Sequence, residues 1–170
     1  MVEQVKHGFE NRKRIVRDYT IHISATPDRI FPLLCPVREY EWIETWKCEM
    51  IYSKSGFAEL GCIFKTRHAG DDADDYWTVV KYEPGREIEF VVTSNLRIML
   101  YRFVLIPEGN DRTKIFVEQV ATALDEKSES RIEDTGFTLH MKILEIMLEH
   151  FAVTGKMIPN EEAIRIASGH

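Results

Sequence analysis

The chain has 170 residues, of which 44% are hydrophobic and 29% are charged, and its formal net charge is −6. This composition is typical of one folded globular domain and excludes a disordered chain. The acidic balance provides no overall basic surface, so we do not expect nucleic acid or an anionic membrane as a partner. No uncharged apolar run is long enough to span a bilayer, so integral membrane association is not expected either.

The polar ends of the chain suggest a simple domain organisation. Residues 1–16 are polar and charged, which predicts a flexible N-terminal arm. Regular hydrophobic patterns cover 17–157 and predict one folded domain, followed by a C-terminal tail over 158–170. The N-terminus has no apolar segment followed by a small-residue cleavage site, so we expect no secretory signal and a cytoplasmic location.

The cysteines and the aspartates do not have the spacing of metal ligands. Three cysteines are spaced neither as a zinc finger nor as a disulfide framework, and we expect reduced thiols: Cys35, Cys48 and Cys62. Four aspartates cluster in one predicted hairpin loop: Asp71, Asp72, Asp74 and Asp75. An EF-hand that starts at Asp71 would need a polar ligand at its third position and Glu at its twelfth, where this chain has Ala73 and Tyr82. We therefore expect no metal and no cofactor.

The first predicted elements are a strand and two short helices. Apolar and polar residues alternate over Asp18–Ser24, which predicts a half-buried strand. Thr26 and Pro27 are typical of a helix start, and Pro32 limits the helix because proline cannot donate a backbone hydrogen bond. A second short helix is predicted over Val37–Ile43.

The middle of the chain has the pattern of an antiparallel meander. Apolar residues alternate with polar ones in short segments that are separated by turn residues such as Gly56, Gly85 and Gly109. The predicted strands are Lys47–Ser53, Cys62–His68, Tyr76–Glu83, Glu87–Ser94, Ile98–Ile106 and Thr113–Thr122.

The last third changes to helical periodicity. A long amphipathic helix is predicted over about residues 130–154, with Gly155 as its stop. Its apolar stripe consists of Phe137, Met141, Leu144, Leu148 and Phe151. We expect this stripe to cover the apolar face of the sheet. A strongly curved sheet around one helix leaves space at one end, which is suited to an apolar ligand.

Four segments in this order resemble a known superfamily. They are Ile21–Phe31, Arg38–Ile43, Tyr82–Arg86 and Thr154–Met157. They are similar to segments of the START-like helix-grip superfamily, which includes polyketide cyclases/dehydrases, lipid-transfer domains and birch-pollen-allergen-like proteins. The resemblance implies an α+β fold in which a curved antiparallel sheet of about seven strands wraps around a long C-terminal helix, with two short helices after the first strand. It implies an internal cavity but no single chemistry.

The candidate ligand-binding residues are those expected to face this cavity. Polar side chains on an apolar face need a partner, a water or a ligand, so we expect His68 and Tyr101 to share a water or a ligand oxygen. In the superfamily the second short helix lies beside the cavity entrance, where Trp42 and Trp46 would form a gate or simply pack against the sheet. The face occupied by Trp77 stays open. The candidates are Trp42, Trp46, Phe64, His68, Phe90, Tyr101, Phe103, Gln119, His140 and Leu144.

Three functions are compatible with these observations. The first is binding of a small hydrophobic or amphipathic molecule in the cavity. The second is catalysis of the polyketide cyclase/dehydrase type on a similar ligand, and the third is a cochaperone-like protein-binding domain. A cavity would favour the first two, whereas a filled core with a large exposed apolar patch would favour the third. Whether the protein is an enzyme, which ligand it binds and its oligomeric state stay open.

Overall fold

One curved antiparallel sheet organises the chain. The computed structural model describes residues 11–67, 73–133 and 136–169, and in these residues seven strands form a sheet in the order β1-β7-β6-β5-β4-β3-β2. Each strand from β2 to β6 therefore lies beside its successor in the chain, and β1 pairs with β7. The strands are β1 (Arg14–Ile23), β2 (Cys48–Tyr52), β3 (Ile63–Thr66), β4 (Asp75–Glu83), β5 (Glu87–Thr93), β6 (Arg97–Glu108) and β7 (Arg112–Ala123).

Short helices connect β1 to β2, and a long helix follows β7. Helix α1 continues directly into a 3₁₀ turn, and a second 3₁₀ turn follows. In chain order the helical elements are α1 (Pro27–Ile30), the 3₁₀ turns Phe31–Leu34 and Glu39–Glu41, α2 (Glu126–Glu129), the 3₁₀ turn Arg131–Glu133, α3 (Phe137–Thr154) and α4 (Asn160–Ala167). This arrangement confirms the predicted α+β architecture, including the two short helical segments after the first strand.

The first strand begins earlier than predicted. It starts at Arg14, inside the segment that the sequence pattern assigns to the N-terminal arm, rather than at Asp18. The cause is the length of β7, which extends to Ala123 and offers a backbone partner to Arg14 at Thr122. The Arg14 guanidinium also donates from Nε to the Thr122 hydroxyl at 2.9 Å.

The long helix begins later than predicted because the residues before it form separate turns. Asp125 accepts a hydrogen bond from the backbone N–H of Ser128 at 2.8 Å and thereby caps α2. Helix α3 starts only at Phe137. It ends as predicted at Gly155, whose φ of 68° is left-handed and whose N–H donates to the Phe151 carbonyl at 2.8 Å.

The C-terminal tail contains a helix that packs on α3. Ala163 and Ala167 of α4 are buried, and Lys142 of α3 donates from Nζ to the Ala167 carbonyl at 2.7 Å. The backbone N–H of Asn160 donates to a carboxylate oxygen of Glu44 at 2.7 Å. These contacts explain why the predicted C-terminal tail contains a helix.

The core lies between the concave face of the sheet and α3. Alternate residues of the central strands are buried there, as the period of two predicts: Ile88, Phe90, Val92, Met99, Tyr101, Leu105, Ile115, Val117 and Ala121. Helix α3 buries Met141, Met147, Leu148 and Ala152 fully. Phe137, Leu144 and Phe151 pack against the same core but remain half-buried.

A buried carboxylate lies on the opposite face of β5. Glu87 is only 2% exposed, although its neighbour Ile88 points into the core. Arg102 on β6 donates from Nε to the Glu87 carboxylate at 2.5 Å, and Lys81 on β4 donates from Nζ at 2.8 Å. These two cations hold the pKa of Glu87 below its usual range, because they favour its ionised form.

Acid should remove the stabilisation that Glu87 provides. Because its pKa is lowered by folding, the stabilisation is complete above the unfolded-state pKa of about 4.3 and is lost as the pH falls through the folded-state pKa. We expect Glu87→Gln to lower the free energy of unfolding by about 1–3 kcal/mol at neutral pH and by less at about pH 3. Urea melts at both pH values measure this, with Glu89→Gln on the same strand as the control. An equal loss for Glu87→Gln at both pH values would contradict the prediction.

Candidate functional site

A cavity of about 190 Å³ lies between the concave face of the sheet, the short helices and α3. Six of the seven strands, all except β2, contribute to its wall, because the sheet curves around one end of α3. Helix α3 contributes His140, Leu144 and Leu148. The segment with the short helices contributes Leu34 and Trp42 on the side facing the helix.

Aromatic side chains of β3 to β6 form one wall of the cavity. Phe64 and Trp77 stack with ring centroids 5.5 Å apart, and Phe90 meets Trp77 edge to face at 5.6 Å. Tyr101 and Phe103 are 4.8 Å apart. Such contacts between rings stabilise the wall beyond the burial of their surface. The result is a continuous apolar wall that is suited to a flat ligand.

The structure settles the orientation of Trp77, which the sequence leaves open. Its side chain faces the cavity, and its indole Nε1–H donates to the Thr66 hydroxyl at 3.0 Å. Thr66 is itself only 3% exposed, so this hydrogen bond provides a partner for its buried hydroxyl and for the indole N–H.

Trp42 and Trp46 both line the cavity and both anchor the short helices. Trp42 is buried and donates from Nε1 to the Leu33 carbonyl at 2.9 Å. Trp46 is half-buried and donates from Nε1 to the Pro36 carbonyl at 2.7 Å. Both residues therefore anchor the short helices and line the cavity, while a gate formed by them stays a prediction.

Tyr101 brings a hydroxyl group into the apolar part of the cavity. The side chain is buried, and its hydroxyl donates to the Met141 sulfur at 3.5 Å. Burial raises the pKa of the Tyr101 hydroxyl well above its usual range, and the charge that Glu39 carries when ionised adds to this effect. Tyr101 therefore stays a neutral donor at any physiological pH.

Glu39 is a cavity residue that the sequence analysis did not single out. It lies at the start of the 3₁₀ turn Glu39–Glu41 and is half-buried in the cavity wall near Trp42 and Ile43. Burial raises the pKa of its carboxyl group to about 8. The sequence contains a signal for this position. Trp42 and Ile43 follow Glu39 by three and four residues, so a helix over this segment places all three on one face.

The cavity opens towards solvent at the ends of several elements. The exposed residues of its wall mark this opening, and they are Thr45, Lys47, Arg67 and His140. Arg67 donates from Nε to the Asp74 carboxylate at 2.7 Å. Basic side chains therefore border the opening, while the interior is aromatic.

Eight of the ten predicted site residues line this cavity: Trp42, Trp46, Phe64, Phe90, Tyr101, Phe103, His140 and Leu144. His68 lies outside the described residues, and so does its predicted proximity to Tyr101. Contact between these eight residues and a ligand remains a prediction.

Gln119 does not line the cavity, although it alternates in step with the buried Ile115, Val117 and Ala121 of β7. It lies directly opposite Arg17 of β1, and its side-chain oxygen accepts a hydrogen bond from the Arg17 guanidinium at 3.0 Å. Arg17 also donates to the Ile132 carbonyl. Gln119 is thus part of a polar contact between the end of the sheet and the turn before α3.

Neither a metal site nor a membrane span is present in the described part of the chain. No three His, Cys, Asp or Glu side chains lie close enough there to hold a metal ion, and no helix there is long and apolar enough to cross a membrane. Of the predicted acidic loop, Asp74 pairs with Arg67 and Asp75 pairs with Arg97, whereas Asp71 and Asp72 lie outside the described residues.

Solved structures share this architecture. Norcoclaurine synthase from Thalictrum flavum, in complex with dopamine and hydroxybenzaldehyde, matches with a TM-score of 0.63 at 12% identity, over 86% of this chain and 90% of that chain. CalU16 from Micromonospora echinospora matches with a TM-score of 0.56 at 15% identity, over 94% and 97%. The Aha1 dimer from Colwellia psychrerythraea contains a chain that matches with a TM-score of 0.54 at 18% identity, over 79% and 96%.

These likenesses establish the fold. The chain adopts the helix-grip fold of START-like proteins, as its sequence segments suggest. No protein-family model and no curated protein matches the sequence. At such low identities the shared architecture does not carry a ligand or a reaction from one chain to another.

Proposed function

We propose that the protein binds a small hydrophobic or amphipathic molecule with a flat apolar body in this cavity. The observation that carries the proposal is the aromatic wall formed by Phe64, Trp77, Phe90 and Phe103 around about 190 Å³ of space. Ligand sites are typically concave, mostly apolar and equipped with a few polar groups that orient the ligand. An apolar cavity of about 150 Å³ is enough to hold benzene, so this one suits a ligand of one or two rings.

The shape of the core and one structural neighbour support this proposal over a cochaperone-like role. A protein that only presents a binding surface has no need for a cavity under its sheet. The structure of norcoclaurine synthase holds dopamine and hydroxybenzaldehyde, which are both single-ring aromatic molecules. An aromatic ligand of similar size fits the wall that we describe.

A second candidate is an enzyme of the polyketide cyclase/dehydrase type. The observation that favours it is Glu39, whose raised pKa keeps a proton available at neutral pH inside the cavity. Ring closure with loss of water requires proton transfer to and from oxygen. Incubation with a poly-β-ketone thioester, followed by mass analysis, tests this: the enzyme would yield a dehydrated product, and Glu39→Gln would not.

Filling the cavity should abolish ligand binding. Leu144 of α3 is half-buried in the cavity wall, so Leu144→Trp would occupy the space without removing core contacts. We expect wild-type protein to bind tetralin saturably in isothermal titration and to gain about 2.7 kcal/mol of stability at a hundred times the dissociation constant. Leu144→Trp should lose both effects.

Leu139→Trp is the matched control. Leu139 belongs to the same helix, is 46% exposed and does not line the cavity, so the added ring lies outside it. This variant should bind tetralin as the wild type does. Equal binding by Leu144→Trp and the wild type would show that the ligand lies elsewhere and would contradict the proposal.

A further inference from the structure

Two side chains in the cavity have hydrogen-bonding capacity that no strong partner uses. The carboxyl group of Glu39 makes no hydrogen bond or salt bridge with any of the residues that the structure describes. The Tyr101 hydroxyl donates to the Met141 sulfur at 3.5 Å. A thioether is a weak acceptor, so this contact satisfies the hydroxyl only in part. Burial of a polar group in an apolar interior lowers the stability of the protein unless a hydrogen-bond partner compensates for the lost water.

The two groups come from different elements and face the same space. Glu39 lies on the 3₁₀ turn Glu39–Glu41, and Tyr101 lies on β6, in the middle of the aromatic wall. They are close enough for the charge of an ionised Glu39 to affect the Tyr101 hydroxyl. A ligand that fills the cavity can therefore reach both groups, because both line it.

Both groups are hydrogen-bond donors at neutral pH. Burial raises the pKa of Glu39 to about 8, so the group is mostly a neutral carboxylic acid in the empty cavity. An apolar site that keeps a carboxylic acid neutral can use it as a donor beside a tyrosine hydroxyl. Two donors that face one space are complementary to an acceptor oxygen, in which partial negative charge is concentrated.

We propose that Glu39 and Tyr101 together anchor a carbonyl oxygen of the ligand, which is then an aromatic ketone or a related flat carbonyl compound. This inference rests on the proposed ligand-binding function. A cationic ligand fits less well, because Lys47 places positive charge at the opening of the same cavity. A pure hydrocarbon would leave both donors without an acceptor.

Three ligands with one ring skeleton test the inference by isothermal titration. Tetralin has no polar group, α-tetralone adds a carbonyl oxygen and α-aminotetralin adds an ammonium group. We expect the wild type to bind α-tetralone about tenfold more tightly than tetralin, which corresponds to about 1.4 kcal/mol. Tyr101→Phe and Glu39→Leu should each reduce this preference, whereas Glu39→Gln should retain it because a neutral amide still donates.

The pH dependence of the preference for α-tetralone distinguishes the titration of Glu39 from that of the other titratable groups near it. Those groups are Tyr101 on β6, Cys48 on β2, Lys47, Arg67, His140 on α3, and Cys35 before the turn. The wild-type preference for α-tetralone should fall above a pH of about 8, because Glu39 then loses the proton that it donates. In Glu39→Gln the same six groups are present, and the preference should stay constant over this range.

Each outcome of this experiment decides one question. Equal binding of tetralin and α-tetralone would leave the proposed function intact and overturn the anchor. Tighter binding of α-aminotetralin, lost in Glu39→Gln, would show that Glu39 acts as an anion and would also overturn it. If none of the three ligands binds the wild type, both the proposed function for this ligand class and the anchor are wrong.

Discussion

Replacing Met147 with alanine is expected to lower the free energy of unfolding by about 2–5 kcal/mol. Met147 is 1% exposed and lies on the side of α3 that packs into the core, away from the cavity wall. The substitution removes buried apolar surface and leaves a void that the well-packed surroundings fill only in part. Leu144, by contrast, is half-buried beside existing empty space, so Leu144→Ala should cost less than a change at a fully buried position.

Urea melts of three variants measure this difference. Leu139→Ala is the control on the same helix, because Leu139 is 46% exposed and its loss should change stability by only about 0.5 kcal/mol. The expected order of destabilisation is Met147→Ala, then Leu144→Ala, then Leu139→Ala. A near-neutral result for Met147→Ala would contradict the position of α3 against the sheet.

Trp42→Ala should destabilise the protein by about 3–5 kcal/mol. Trp42 is 2% exposed, and its indole N–H satisfies the Leu33 carbonyl at 2.9 Å. The substitution removes a large apolar side chain and leaves the Leu33 carbonyl without this donor. The short helices would then lose one of their attachments to the core, and the cavity would lose part of its wall.

A more conservative change separates the two contributions. Trp42→Phe keeps most of the apolar ring but removes the N–H, so its cost should lie near that of one lost buried hydrogen bond, about 1–3 kcal/mol. Trp46→Ala should cost less than Trp42→Ala because Trp46 is only half-buried. Thermal and urea melts provide the free energies of unfolding. A smaller loss for Trp42→Ala than for Trp46→Ala would contradict the assigned burial.

Periodicity predicted the architecture because each buried face has a clear sequence pattern. Phe64 and Thr66 share one face of β3, and both are buried, whereas Lys65 on the other face is only half-buried. Element ends were less predictable, because they depend on partners that are distant in sequence. The early start of β1 at Arg14 reflects its pairing with Thr122, and no local pattern around Arg14 contains that information.

The site was only partly predictable for related reasons. Alternation placed Phe90 and Tyr101 on the inner face of their strands, where both line the cavity. It could not orient Trp77, whose strand is apolar on both sides. Gln119 has the right register, but its position opposite Arg17 takes it into a polar contact. Glu39 was missed because it lies in a charged stretch, although its spacing from the buried Trp42 and Ile43 distinguishes it from its exposed neighbour Glu41.

Native mass spectrometry of freshly purified protein tests the central claim most directly, because it detects any small molecule that the cavity retains. We expect a fraction of wild-type protein whose mass exceeds that of the chain by one organic molecule. That fraction should persist in Leu139→Trp and disappear in Leu144→Trp. Added α-tetralone should form a one-to-one complex with the wild type and with Leu139→Trp. A wild-type protein that shows only the mass of the chain, even with α-tetralone added, would contradict it.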